Sequence, residues 1–143
     1  MEQILGNSDI SDWIGSKNTS RGIVEIVTAE LINSTIGKKP NEDFKKGDPL
    51  PPLWHWFAFP SATHLSQLGD DGHPKHVGYT PPKDLTRRMW ASGSLTFHSD
   101  LRVGQEITKD TTVLDIKEKE SQSGKMVFIL SLIHISEPTR LVS

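Results

Sequence analysis

Residues 87–107, RRMWASGSLTFHSDLRVGQEI, constrain the chain more tightly than any other stretch. Met89, Ala91, Gly93, Leu95 and Phe97 alternate with Trp90, Ser92, Ser94, Thr96 and His98, so an extended backbone sorts an apolar set from a mostly polar one. The pattern predicts a long central strand buried on one face, and a strand needs a sheet. Ser99-Asp100 ends it, and Leu101-Arg102-Val103-Gly104-Gln105 reads as a tight reversal into a further strand. That strand continues over residues 106–119 with Ile107, Val113, Leu114 and Ile116 as inward residues. Val113 and Leu114 are adjacent, so this phase predicts a β-bulge between them. Gln122-Ser123-Gly124-Lys125 carries hairpin-loop chemistry, and Met126-Val127-Phe128-Ile129 opens the returning strand.

Upstream, Asp12-Trp13-Ile14-Gly15 opens a short strand or a packing arm, and residues 17–21 read as a polar connection. Thr28 suits a helix N-cap, with Glu30 in the first turn and Val27 and Ile32 placed as a hydrophobic staple. Leu31, Ile32 and Ile36 form a narrow apolar stripe that Gly37 stops, which predicts a short amphipathic helix. Residues 38–52, KKPNEDFKKGDPLPP, hold four prolines and Gly47 and predict a loop. The loop delivers Leu53-Trp54-His55-Trp56-Phe57-Ala58-Phe59, apolar nearly all round apart from His55. Entry through Pro51-Pro52 favours a helix, and its all-round apolar character predicts one buried on every side. Residues 61–85 are loop-like, with turn chemistry at Gly69-Asp70-Asp71-Gly72 and Pro81-Pro82.

At 143 residues the chain suits one domain, and a net charge of -2 with no basic run longer than a pair gives no footprint for nucleic acid. The absence of cysteine excludes disulfides, thiolate metal sites and a cysteine nucleophile, and suits the cytoplasm. No apolar run approaches membrane-spanning length, and the N-terminus lacks the apolar core of a signal peptide, so no membrane partner is expected. A Gly-x-Ser-x-Gly elbow, a dinucleotide glycine fingerprint and a phosphate loop are all missing, which leaves hydride transfer and nucleotide hydrolysis unsupported.

The polar candidates each carry two readings. His64, His73 and His76 sit in a proline- and glycine-rich loop without helical spacing or a carboxylate partner, so the expectation is loop histidines and no metal site. His55 is a polar ring in an apolar segment, either a core histidine bonded to backbone or a group facing substrate. Arg87 and Arg88 suit a phosphate through bidentate bonds and equally suit a solvated strand end. Trp90 suits packing against a partner or an adenine ring. Asp70-Asp71 reads as turn chemistry, too poor in further oxygen ligands for calcium.

Three stretches stand together: Gly47-Asp48-Pro49-Leu50-Pro51-Pro52-Leu53-Trp54-His55-Trp56, Leu68-Gly69-Asp70-Asp71-Gly72-His73-Pro74 and Arg87-Arg88-Met89-Trp90-Ala91-Ser92-Gly93. With them the chain resembles the N-terminal half of the MaoC-like hydratases and dehydratases with two tandem hotdog folds, in particular the 3-methylfumaryl-CoA (mesaconyl-CoA) and itaconyl-CoA hydratase group. Leu101-Arg102-Val103-Gly104-Gln105 resembles the hotdog turn, with Gln105 where aspartate is more usual. The resemblance implies an α+β hotdog fold, a bent antiparallel sheet around a central helix, here placed at the segment after Pro52. It implies a hydro-lyase acting on a short enoyl-CoA or 3-hydroxyacyl-CoA thioester, with coenzyme A as part of the substrate and no separate cofactor. The family's catalytic Asp and His lie in the C-terminal hotdog, so no catalytic residue is assigned in this chain; His55, Arg87, Arg88 and Trp90 are the substrate-binding candidates. The implied partners are the acyl-CoA thioester and a second hotdog domain or homodimer partner. The rival readings are a non-catalytic hotdog module for thioester binding or dimerisation and, more weakly, a thioesterase.

Residues 130–140, LSLIHISEPTR, resemble codon for codon the translation of a transposase-type sequencing adapter. The expected division is an incomplete N-terminal hotdog over residues 1–129 and an adapter-derived tail over 130–143; as coding sequence, the tail would extend the last strand and break at Pro138.

Overall fold

The computed structural model describes residues 9–75, 85 and 87–138. Three strands form one antiparallel sheet in the order β1-β2-β3: β1 is Lys17–Ile23, β2 is Glu106–Ser121 and β3 is Gly124–Ser136. Among the described residues a single α-helix, α1, spans Ile26–Ile36, and three short 3-10 turns occupy Ile10–Trp13, Trp54–Ala58 and Leu65–Gln67. The described residues divide into two compact units, one within Met1–Asn18, Thr63–Trp90 and Thr111–Ile133, the other within Thr19–Ala62, Ala91–Asp110 and His134–Ser143.

β2 is the middle strand, paired on both edges, and it follows the reversal as its sequence predicts. Its strand assignment is unbroken from Glu106 to Ser121. Ile107 and Val113 have the same parity and are both buried, whereas Leu114 is 47% exposed. Val113 and Leu114 simply point to opposite faces, so no slip in phase is needed. The hairpin turn is Gln122-Ser123, with Gly124 at φ +117°, and β3 starts before Met126 and runs past Ile129 to Ser136.

The long strand expected over residues 87–98 does not form. These residues have no regular secondary structure and are exposed, Met89 by 89% and Phe97 by 53%. Alternation states which side chains an extended chain would separate; a strand also needs a neighbour's N–H and C=O groups. Among the described residues, none of the sheet's three strands pairs with it. The opposite correction applies to residues 17–21, read as a polar connection, which lie in β1. An edge strand is wetted more than a middle one, so its polar composition imitates a loop while β2 supplies the ladder.

In the second unit, Val24, Ala29, Ile32, Phe44, Leu50, Trp54, Ala58, Val103 and Ile107 form the core. α1 starts at Ile26 after Glu25, which makes no side-chain cap bond, and Thr28 lies within the first turn rather than capping it. Packing of Ile26 against the core overrides the capping preference. The buried face is Ala29 and Ile32; Leu31 and Ile36 are 63% and 60% exposed, so the predicted stripe is displaced. The proline-rich loop is a loop, but a pinned one. Gly47 donates its N–H to the Val103 carbonyl at 2.8 Å, Val103 donates to Asp48 O at 2.9 Å, and Leu50 donates to Leu101 O at 2.7 Å. The Arg102 guanidinium adds a bond to Gly47 O at 2.9 Å. Gly104, at φ +75°, makes the reversal without Cβ strain, and Gln105 Oε1 accepts the Arg102 N–H at 3.1 Å. Gln105 thereby supplies the side-chain acceptor for the turn.

In the first unit, Asp9 caps Ile10–Trp13, and Gly15 and Ser16 exchange backbone bonds with Val113 at 2.7 and 3.0 Å. Gly69-Asp70-Asp71-Gly72 is a turn as predicted, closed by Gly69 N–H to His73 O at 2.7 Å and a bridge between Leu68 and Pro74. Pro81-Pro82 lies outside the described residues.

Candidate functional site

The segment expected as an all-round buried helix is the five-residue 3-10 turn Trp54–Ala58, and it buries one side only. Leu53 enters it at φ +75°, a left-handed conformation unusual for a branched residue, after which Trp54 N–H reaches Pro51 O at 3.2 Å. Trp54 packs on Phe44 with ring centroids 5.6 Å apart and planes at 48°, and Ala58 is buried beside it in the same core. That anchoring sets the rotation of the turn. Trp56 and Phe57 face outward, 56% and 50% exposed, and His55 is left half-buried between the two sides.

The His55 ring stands edge-on to Trp56 at 6.2 Å and to Phe97 at 6.3 Å. No hydrogen bond of the ring is found among the described residues, and none of their buried side-chain nitrogens or oxygens lacks a partner, so the ring nitrogens are open to water; half-buried, His55 is not a fully buried core histidine. Burial holds its pKa below the ordinary 6.5, so the imidazole is neutral near pH 7 and offers one N–H donor and one acceptor. It lines a cleft of about 40 Å³ with Leu50, Pro51, Pro52, Phe97, Ser99, Asp100 and Leu101. The sequence points to His55 through its polarity in an apolar segment. It carries no comparable signal for Phe97, Ser99, Asp100 and Leu101, which reach the cleft by chain folding.

Arg87, Arg88 and Trp90 belong to the other unit. Arg88 Nε lies 3.5 Å from Asp71 Oδ2, and Arg87 is exposed. Asp71 accepts the His73 N–H at 3.0 Å and faces His73 Nδ1 at 3.4 Å. The His73 backbone bond, followed by the charges of His73 and Arg88, holds the Asp71 carboxyl below its ordinary value. Trp90 is 72% exposed. His64 caps the turn Leu65–Gln67, its Nδ1 accepting the Ser66 N–H at 3.2 Å, so His64 and His73 both have local structural work. His76 lies outside the described residues, and among those described no three His, Asp or Glu side chains cluster as metal ligands would.

Residues 53–140 match the family model for hydroxyacyl-thioester dehydratase type 2, which is more than half of the chain. The chain belongs to the hydroxyacyl-thioester dehydratase type 2 family. That family is one of thioester dehydratases and hydratases, and the chain's α+β architecture is the hotdog-type domain that the resemblance implies. It is also 36% identical over 126 residues to the mesaconyl-C(4)-CoA hydratase of Chloroflexus aurantiacus (strain ATCC 29366 / DSM 635 / J-10-fl), covering 87% of this chain and 44% of that protein. The chain thus spans less than half the length of this curated relative. All four candidate residues of the dehydratase-family chain, His55, Arg87, Arg88 and Trp90, fall inside the matched region. Among its described residues, no helix is long and apolar enough to cross a membrane.

Proposed function

We propose that this chain is the N-terminal, non-catalytic hotdog half of a cytoplasmic acyl-CoA hydratase or dehydratase acting on a short enoyl-CoA or 3-hydroxyacyl-CoA thioester of the mesaconyl-CoA type. The observation that carries the reading is the 36% identity, over 126 residues, to a mesaconyl-C(4)-CoA hydratase. The half's own role is to complete the fold and shape the acyl-CoA cleft for a catalytic Asp and His in a second hotdog domain. Arg87 and Arg88 hold coenzyme A phosphate, Trp90 stacks on the adenine or on the second domain, and His55 faces the acyl end. Exposed apolar side chains such as Val27, Leu31 and Phe57 are in keeping with a surface that a second hotdog covers.

The test is to clone the genomic locus past Ile129 and compare its full product with the 143-residue chain. The expected results are genomic codons that diverge from LSLIHISEPTR, a second hotdog bearing an Asp and a His, mesaconyl-CoA hydration by the full product and none by the short chain. Hydration by the short chain alone would place catalysis here and overturn the division of labour. A locus ending without a second hotdog would support the non-catalytic binding module instead.

A further inference from the structure

We propose that Asp71, His73 and Arg88 form one phosphomonoester subsite, in which the Arg88 guanidinium and the His73 ring contact the phosphate and Asp71 positions both. The inference rests on the acyl-thioester reading and names which phosphate of coenzyme A is met, the 3′-phosphate, its one phosphomonoester.

A single carboxylate holds the cluster together. Asp71 Oδ1 accepts the His73 main-chain N–H at 3.0 Å, which fixes the carboxylate in its turn. Oδ2 lies 3.4 Å from His73 Nδ1 and 3.5 Å from Arg88 Nε. Sharing that oxygen sets the two anchored nitrogens at most about 7 Å apart, so one small anion can meet both side chains. The anchoring leaves the useful donors over. Asp71 faces Arg88 by Nε, and no described residue bonds the two terminal nitrogens, which remain as a planar fork suited to phosphate oxygens. A carboxylate at Nδ1 assigns the ring proton there and leaves Nε2 on the far side, where no described residue bonds it. The Arg88 and His73 side chains are 33% and 56% exposed, so a ligand reaches both from solution.

The ring selects the kind of phosphate. With Nδ1–H turned to Asp71, Nε2 meets an anion by sharing a proton with it. A phosphomonoester has its second ionisation at about 6, so near neutral pH one proton passes between its oxygen and an imidazole. The diphosphate bridge of coenzyme A has no ionisation in that range. The His73 backbone bond, then the charges of His73 and Arg88, keep Asp71 anionic, and that charge favours a doubly protonated ring. Among the described residues Asp71 is the charged group facing the ring, Arg88 shares its oxygen, and Lys75 turns its ammonium to Ser66 O at 3.1 Å.

The experiment titrates the 143-residue chain by calorimetry with coenzyme A, with dephospho-coenzyme A, which lacks only the 3′-phosphate, and with inorganic phosphate. Two phosphate-free buffers of different ionisation enthalpy count the protons taken up. Coenzyme A should bind about tenfold more tightly than the dephospho form and take up protons, which the dephospho form should not. Inorganic phosphate should compete with coenzyme A; phosphate binding without that preference for coenzyme A would make this a free-phosphate site and overturn the assignment. Arg88→Gln should lower coenzyme A affinity to the dephospho level, and His73→Gln should also remove most of the proton uptake. Asp71→Asn keeps the Oδ1 acceptor and deletes a negative charge beside the phosphate, so a mere charge effect would raise affinity; positioning lowers it, and a rise overturns that role. Lys75→Gln removes a positive charge from the same loop and should change affinity by less than about twofold; a loss equal to that of Arg88→Gln would mean diffuse charge and overturn the subsite. The comparison of the two coenzymes on the parent chain decides the matter if a variant fails to fold. Equal affinities there, or no binding, overturn the subsite and leave the hydratase reading standing, against which only failure of the full gene product to hydrate mesaconyl-CoA counts.

Discussion

Gly22 is the position where one added carbon tests how the His55 turn is seated. A β-carbon there would lie inside the contact distance of the Ala58 carbonyl oxygen, 2.8 Å from Ala58 C and 2.7 Å from Phe59 Cδ1. Phe59 can swing aside, but the Ala58 main chain cannot do so without moving the turn Trp54–Ala58 away from β1. Overpacking of this kind costs about 1–3 kcal/mol, and a backbone obstacle places Gly22→Ala near the upper end. Restricting the unfolded chain returns roughly 0.4–1 kcal/mol, which leaves a net destabilisation of about 2 kcal/mol. For a chain of this size that lowers the melting temperature by roughly 4–8 °C. Urea unfolding followed by tryptophan fluorescence, with thermal melts alongside, measures it. Asn18→Ala, at an exposed position of β1, is the control and should stay within about 0.5 kcal/mol of the parent. Phe59→Leu should not rescue Gly22→Ala, because the tighter obstacle is main chain. An unchanged urea midpoint for Gly22→Ala would refute the close approach of the turn to β1.

Trp54→Ala removes the aromatic anchor packed on Phe44 and should cost about 3–5 kcal/mol, read as loss of a cooperative urea transition; a loss under about 1 kcal/mol would mean the turn is held elsewhere. Val113→Lys should unfold the chain or lower its stability by several kcal/mol, whereas Leu114→Lys should stay within about 0.5 kcal/mol, and equal effects in urea melts would contradict the alternation along β2. His55 and Asp71 both have lowered pKa values in the folded chain, so the unfolded chain binds more protons in each window. The His55 contribution should be full above 6.5 and that of Asp71 above 3.8, each falling as pH drops through the folded value. Asp71→Asn should therefore flatten the pH-stability curve only below 3.8, and a difference confined to neutral pH would contradict this.

Much of the local structure was legible because it depends on neighbours in sequence. Gly104 sits in the reversal, Gly69 to Gly72 turn where their composition says, and Gln122-Ser123 close the hairpin into β3. The candidate site was legible in part. His55 stands out as the one polar residue in its apolar run, and it does line a cleft. Its wall at Phe97 was not legible, since the alternation that assigned Phe97 inward presumed a pairing partner. The core position of Trp54 and the exposure of Trp56 were also beyond the pattern, because a short aromatic run does not say which of its rings meets Phe44.

The sequence by itself determined the turns, the hairpin, the middle strand and membership of a thioester dehydratase family, all of which rest on local chemistry or on matched motifs. Only the tertiary structure decided that polar residues 17–21 join a sheet, that residues 87–98 do not, and that Phe97 meets the His55 ring. Each of these depends on whether a distant backbone or side chain arrives to complete a bond or a contact, and periodicity along one segment contains no record of that arrival.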